Sequence, residues 1–195
     1  LFQMDDLQRI NVKFFLDDPG SLTPEEAFKI LNTWIPQTPD ETLIDVADYS
    51  HVPDGPVTLL VGHEANYSID DGQKRRGLIY ARKQPLPGSL SERLHAALAA
   101  ALTACLRLEE EPELQDRVSF RTDEFLLVAN DRLRAPNFAA TLTALQPQLD
   151  PVLSALYGNS TFTCERTSDP AERFAVLVKS DTSLDTAALL ANLSN

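Results

Sequence analysis

The sequence predicts an α+β domain, a mostly antiparallel sheet with helices packed on one face. Three observations predict it. Strand-like apolar stretches outnumber helical ones. Most of them follow one another across short turns, as antiparallel strands do. Helices enter at separated, well-marked starts rather than in regular alternation with strands.

The first strand is expected over 10–16. Val12 and Phe14 lie on one side and Lys13 and Phe15 on the other, so one face is apolar and the other mixed. The adjacent aromatics cannot share a side, and one of them is expected under the terminal helix or in a subunit interface. Asp17-Asp18-Pro19-Gly20 then turns the chain. Thr23-Pro24-Glu25-Glu26 is a capping box with proline at the first helical position. Phe28, Ile30, Leu31 and Trp34 supply the apolar residues of this first helix, and Pro36 stops it.

A second strand covers 42–47, and 48–56 reads as a polar loop. Residues 57–61 are apolar apart from Thr58, the pattern of a strand buried on both faces. Residues 62–67 leave that strand, Asp70-Asp71-Gly72 turns, and 77–83 return as a strand. Ser89-Leu90-Ser91-Glu92 is a second capping box, opening the longest helix, to about Glu110. Leu94, Leu98, Leu102, Cys105 and Leu106 recur there at helical spacing.

Residues 118–120 and 125–129 are expected to form a hairpin around Thr122-Asp123-Glu124. Asn137 is expected to cap a third helix that Pro147 interrupts, Asp150-Pro151 restarts and Gly158 ends. Residues 161–167 and 173–179 pair as strands across Ser168-Asp169-Pro170. A short, loosely packed helix is expected from Asp181 through Leu193. The order becomes βαββ, βαββ, αββ and α, a hint of an old βαββ duplication without any residue-level repeat.

The length of 195 residues suits one domain, expected over 4–180 with a helical tail over 181–195. Leu1-Phe2-Gln3 resembles the remnant of a viral 3C-protease tag site, with Met4 as the expected natural start. No secretion-signal pattern follows Met4 and no apolar run is long enough for a membrane span. The two cysteines, Cys105 and Cys164, lack CxxC or Cys/His spacing and read as reduced, buried residues of a cytoplasmic protein. A net charge of −12 repels phosphate backbones and anionic lipid, which argues against nucleic-acid and membrane partners.

Phosphate-cradling, dinucleotide-binding and nucleophile-elbow motifs are absent from the sequence. His63-Glu64 begins like a zinc-protease HExxH, but Tyr67 stands where the second histidine belongs, so no metal site and no cofactor are expected. The chemistry-bearing residues concentrate over 45–71. His63, Glu64 and Tyr67 are the candidate catalytic groups, since a histidine at a strand end can titrate near neutrality. Consecutive strand residues point to opposite faces, which weighs against His63 and Glu64 acting together. His51 and His63 flank one strand and would sit at opposite ends of it.

Asp48, His51, Asn66, Arg75 and Arg76 are the candidate ligand-binding residues. The last two belong to a basic cluster, Lys74 to Arg76 with Arg82 and Lys83, that is distinctive in an acidic chain. The alternative for that cluster is a solvated hairpin tip and a charged edge strand. His95 is expected at the surface, and Trp34 in the core. With no catalytic constellation, the expected function is a non-catalytic protein-interaction or assembly domain, binding a protein partner or forming a homodimer. The alternative is an enzyme or small-ligand-binding protein with a pocket near 45–71.

Overall fold

Period-two burial builds the sheet. In the computed structural model, which describes residues 4–167, 169 and 171–195, eight strands form one antiparallel sheet. They are β1 (Ile10–Leu16), β2 (Leu43–Asp48), β3 (Pro56–Gly62), β4 (Ala65–Asp70), β5 (Gly77–Arg82), β6 (Phe120–Ala129), β7 (Phe162–Arg166) and β8 (Ala175–Ser180). Their order in space is β2-β3-β4-β5-β1-β6-β8-β7. The helices are α1 (Pro24–Gln37), α2 (Leu90–Glu109), α3 (Ala139–Tyr157) and α4 (Thr186–Leu193).

The helices cover one face. α1 packs on β2 and β3, α2 on β1 and β5, α3 on β7 and α4 on β6. Val12, Phe14, Leu60, Ile69, Leu78, Phe125, Leu127 and Val178 point into the core they enclose. Both capping boxes form: Thr23 and Glu26 close the start of α1, and Ser89 and Glu92 that of α2. The α+β architecture therefore stands as the sequence predicts.

The order of elements differs at two places. Residues 65–70 are strand β4, not loop: Ala65, Tyr67 and Ile69 turn to the core while Asn66, Ser68 and Asp70 turn to the helix-free face. Phe120–Ala129 is one unbroken strand, not a hairpin. Thr122-Asp123-Glu124 has no glycine to follow Asp123 in a tight turn, and Glu124 pairs in register with Lys179 of β8. The two errors compensate in the strand count but dissolve the βαββ repeat. Strand β3 is buried on one face and half-buried on the other, because no helix covers Leu59 and Val61.

Helix α3 continues unbroken past Pro147 and Pro151. Both prolines lie on its exposed side, where the carbonyls they leave unbonded reach water, while Leu145, Leu149, Val152, Leu153 and Leu156 hold the other side. Asn137 does not cap it; its side-chain amide donates to the Asp169 carbonyl at 2.6 Å. Phe28 falls off the buried stripe of α1 and is 40% exposed. Helix α4 starts at Thr186 with Asp185 as its cap, and it packs tightly through Leu189 and Leu193. His95 is half-buried rather than a surface group, its Nε2 lying 2.6 Å from the Leu193 carbonyl oxygen. Cys105 is buried, Cys164 is half-buried, and both are free thiols. Of the expected turn at 168–170, residues 168 and 170 lie outside the described set, as do residues 1–3 with the expected tag remnant.

At Gly77, β5 leaves no room for a side chain against β1. A Cβ there would sit 2.3 Å from the Phe14 carbonyl oxygen, a backbone atom that cannot swing aside. Gly77→Ala is expected to destabilise the protein by about 2 kcal/mol or more by forcing the central strands apart. Urea unfolding would measure it.

Candidate functional site

The helix-free face of the sheet carries an unusual set of side chains. Asn11, Lys13 and Phe15 of β1 stand there beside Ile79 of β5 and Leu126 and Val128 of β6. Ala175 and Leu177 of β8 continue the apolar strip. No helix packs on it, yet Lys13 is 1% exposed and Phe15 2%.

A segment of chain covers them. Residues 71–76, linking β4 to β5, fold over the face as a strap. Lys13 Nζ donates to Asp70 Oδ1 at 2.9 Å, to the Gly72 carbonyl at 2.8 Å and to Gln73 Oε1 at 3.3 Å. Gln73 and Lys74 hold positive φ to make the crossing. The Arg75 guanidinium lies 3.6 Å from the centroid of the Phe15 ring and grips Glu124 of β6 with two bonds, at 2.8 and 3.0 Å. Phe15 is therefore sealed by this cation rather than by the terminal helix. Arg76 makes a paired contact with Asp71 and donates to the Leu22 carbonyl.

These contacts set the local electrostatics. Arg75 holds the Glu124 carboxyl below its usual range, and Arg76 does the same for Asp71. Burial pulls the Lys13 ammonium down, and the bond and charge of Asp70 oppose it. Arg75 and Arg76, candidates for an anion site, are thus committed to carboxylates of their own chain.

Beside the strap lies a groove of two adjoining hollows of about 580 and 280 Å³. Leu126, Val128, Gln73 and Arg173 are common to both. The groove runs from Asp54–Pro56 at the β2–β3 loop, past Gln73, to the loops after β6 and before β8. At that second end Arg132 and Arg173 are exposed, and neither has a carboxylate partner among the described residues. Among the described residues Arg173 donates to Asn130 Oδ1, at 3.2 Å, and Glu172 lies beside it without an ion pair. Next to this end Leu133 is 92% exposed and Phe138 56%. Sequence reasoning missed all four residues. The sequence carries no signal for them, because each arginine directly follows an acid, Asp131 before Arg132 and Glu172 before Arg173, and only the folded chain shows that neither pair closes.

The other candidates do not converge. His63 is exposed in the two-residue β3–β4 turn, and His51 is exposed in the loop before β3, so they flank opposite ends of that strand. Glu64 accepts from the Thr42 amide at 3.3 Å, Asp48 from the Ser50 amide at 2.8 Å and Asn66 from the Gly62 amide at 3.2 Å, which are turn-stabilising roles. Tyr67 points to the helix side and donates to both Glu41 oxygens at 2.8 and 2.9 Å. Burial and that carboxylate raise its pKa far above the ordinary phenol value. No His/Cys/Asp/Glu cluster among the described residues has the arrangement of a metal site. No helix among them is long and apolar enough to cross a membrane.

Lys13→Ala strands the Asp70 carboxylate in the interior and is expected to cost about 3–5 kcal/mol in urea unfolding, whereas Lys13→Met with Asp70→Asn recovers most of that loss. A cost below about 1 kcal/mol for the single variant would show that Lys13 does not latch the strap. The acid side is set by the lowered carboxylates. Their contribution is complete above the ordinary carboxylate range and disappears as pH falls through the lower folded-state values. Glu124→Gln is therefore expected to cost about 1–2 kcal/mol at neutral pH, with the gap to the parent closing in strong acid. Stability measured against pH for both proteins would check it. No protein-family model matches this chain, and no curated protein is similar to it.

Proposed function

We propose that this is a non-catalytic, cytoplasmic protein-interaction domain whose helix-free sheet face takes an extended segment of a partner protein. The observation that carries the proposal is the pairing, in one groove, of an apolar floor with two exposed arginines that form no ion pair among the described residues. Val128 is partly accessible on the floor of the groove, with the edges of the nearly buried Leu126 and Ala175 beside it, and together they offer contact for one apolar side chain. Arg132 and Arg173 offer charge-assisted bonds to a carboxylate. The occupant that fits is a segment with Asp or Glu next to apolar residues. In a chain of net charge −12, such a segment is attracted at this end of the groove and repelled over much of the remaining surface.

Sheet-edge pairing is a poorer route to assembly. On edge strand β2 a register irregularity separates Leu43 from Asp45, and the Asp45 carboxylate occupies the Val46 amide at 2.8 Å. The opposite edge strand, β7, is only five residues long.

Selection of random peptides displayed on phage tests the proposal with a defined probe. Enriched peptides are expected to carry an acidic residue flanked by apolar ones, and Arg132→Glu with Arg173→Glu is expected to weaken them by about tenfold or more. Enrichment of peptides without acidic residues, or binding unchanged by the double variant, would overturn it. A dimer in light scattering that the same variant dissociates would replace the partner segment with a second copy of the chain.

A further inference from the structure

A second cleft lies on the helix-covered side, between α1, α2 and the β2 end of the sheet. It measures about 250 Å³ and is bordered by Trp34, Glu41, Tyr67 and Arg107, with the small side chains of Ala100 and Ala104 leaving it open. Two opposite charges border it without pairing to each other. The Arg107 guanidinium lies over the Trp34 ring, 4.4 Å from its centroid, and donates to the Thr38 hydroxyl at 2.7 Å. Glu41 is held on the other side by the Tyr67 hydroxyl. Each charge is anchored by a neutral neighbour, and the two form no ion pair with each other.

The cation is also under-compensated. Burial lowers the Arg107 pKa, and the carboxylates of Glu111 and Glu41 offset this only at longer range. Trp34 is 2% exposed, and its indole N–H has no acceptor among the described residues. A simple anion entering the cleft would meet Glu41, and a simple cation would meet Arg107. A molecule carrying an ammonium and a carboxylate on one carbon satisfies both walls.

We propose that this cleft binds a small zwitterion of the α-amino-acid class, its carboxylate on Arg107 and its ammonium on Glu41. The site is independent of the sheet-face groove. Trp34 is the only tryptophan of the chain, so its emission reports occupancy directly. The test is titration of the whole protein with free L-amino acids to ~10 mM, following Trp34 emission, with calorimetry for the aromatic ones. At least one amino acid is expected to give a saturable change, and its N-acetyl and carboxamide derivatives to bind about tenfold or more weakly, because each lacks one of the two charges. Glu41→Gln, which keeps an acceptor for Tyr67 and so preserves the fold, is expected to weaken binding similarly. Arg132→Glu with Arg173→Glu is expected to leave it unchanged. The proposal is overturned if no amino acid gives a saturable signal, if the blocked derivatives bind as well as the parent, or if Glu41→Gln binds normally.

Discussion

A lysine stands near the middle of the sheet and is almost wholly buried, and the architecture of one face follows from it. Lys13 belongs to β1, with β5 on one side and β6 on the other, so its side chain has neither an edge nor a loop end to escape by. A charged ammonium in that position must be met by oxygen. Asp70 at the end of β4 and the Gly72 carbonyl meet it, and in doing so they draw residues 71–76 across the face. Gly72 itself is constrained by the contact, since a Cβ there would lie 2.7 Å from the Asp70 carboxylate.

The strap divides the sheet into faces with different chemistry. The helix-covered face is a continuous apolar core in which the strands supply every second residue. The open face is shielded by polar latches instead of by a helix. Arg75 seals Phe15 by stacking and pins the strap to β6 through Glu124, so the apolar cluster of Phe15, Leu126 and Ala175 is mostly shielded while Val128 and Leu177 remain partly accessible. A face built this way is dry enough to hold its shape and retains a groove beside the strap. Large apolar areas left open on a sheet face invite aggregation, and the strap limits that area without removing it.

Arg75 and Arg76 show why a site is harder to read than a fold. In the sequence they are two arginines in a basic run, which suits an anion site equally well. Which of them is free depends on carboxylates at Asp71 and Glu124, the second of which is 49 residues away from Arg75. Arg132 and Arg173 look less distinctive in the sequence, and among the described residues neither pairs with a carboxylate. His51 and His63 sit in exposed loops at opposite ends of β3, so the titratable strand-end histidine has no partner group brought to it among the described residues.

The sequence by itself determined the class of fold, the two capped helices, the first strand and the last strand pair, because capping boxes and period-two patterns act between near neighbours. It also carried the alternation of β4 in Ala65-Asn66-Tyr67-Ser68-Ile69-Asp70, masked by polar residues that suggest a loop. Those polar residues face a side of the sheet that no helix covers, and only the assembled tertiary structure decides which side that is. The continuity of β6, the passage of α3 through two prolines and the burial of Lys13 were likewise decided by long-range contacts. The mixed face of β1 was legible as Lys13 beside Phe15. That a strap from the β4–β5 connection would cover both, leaving a groove next to them, was set by the folded chain, because a buried charge takes its partner from wherever the topology brings oxygen close.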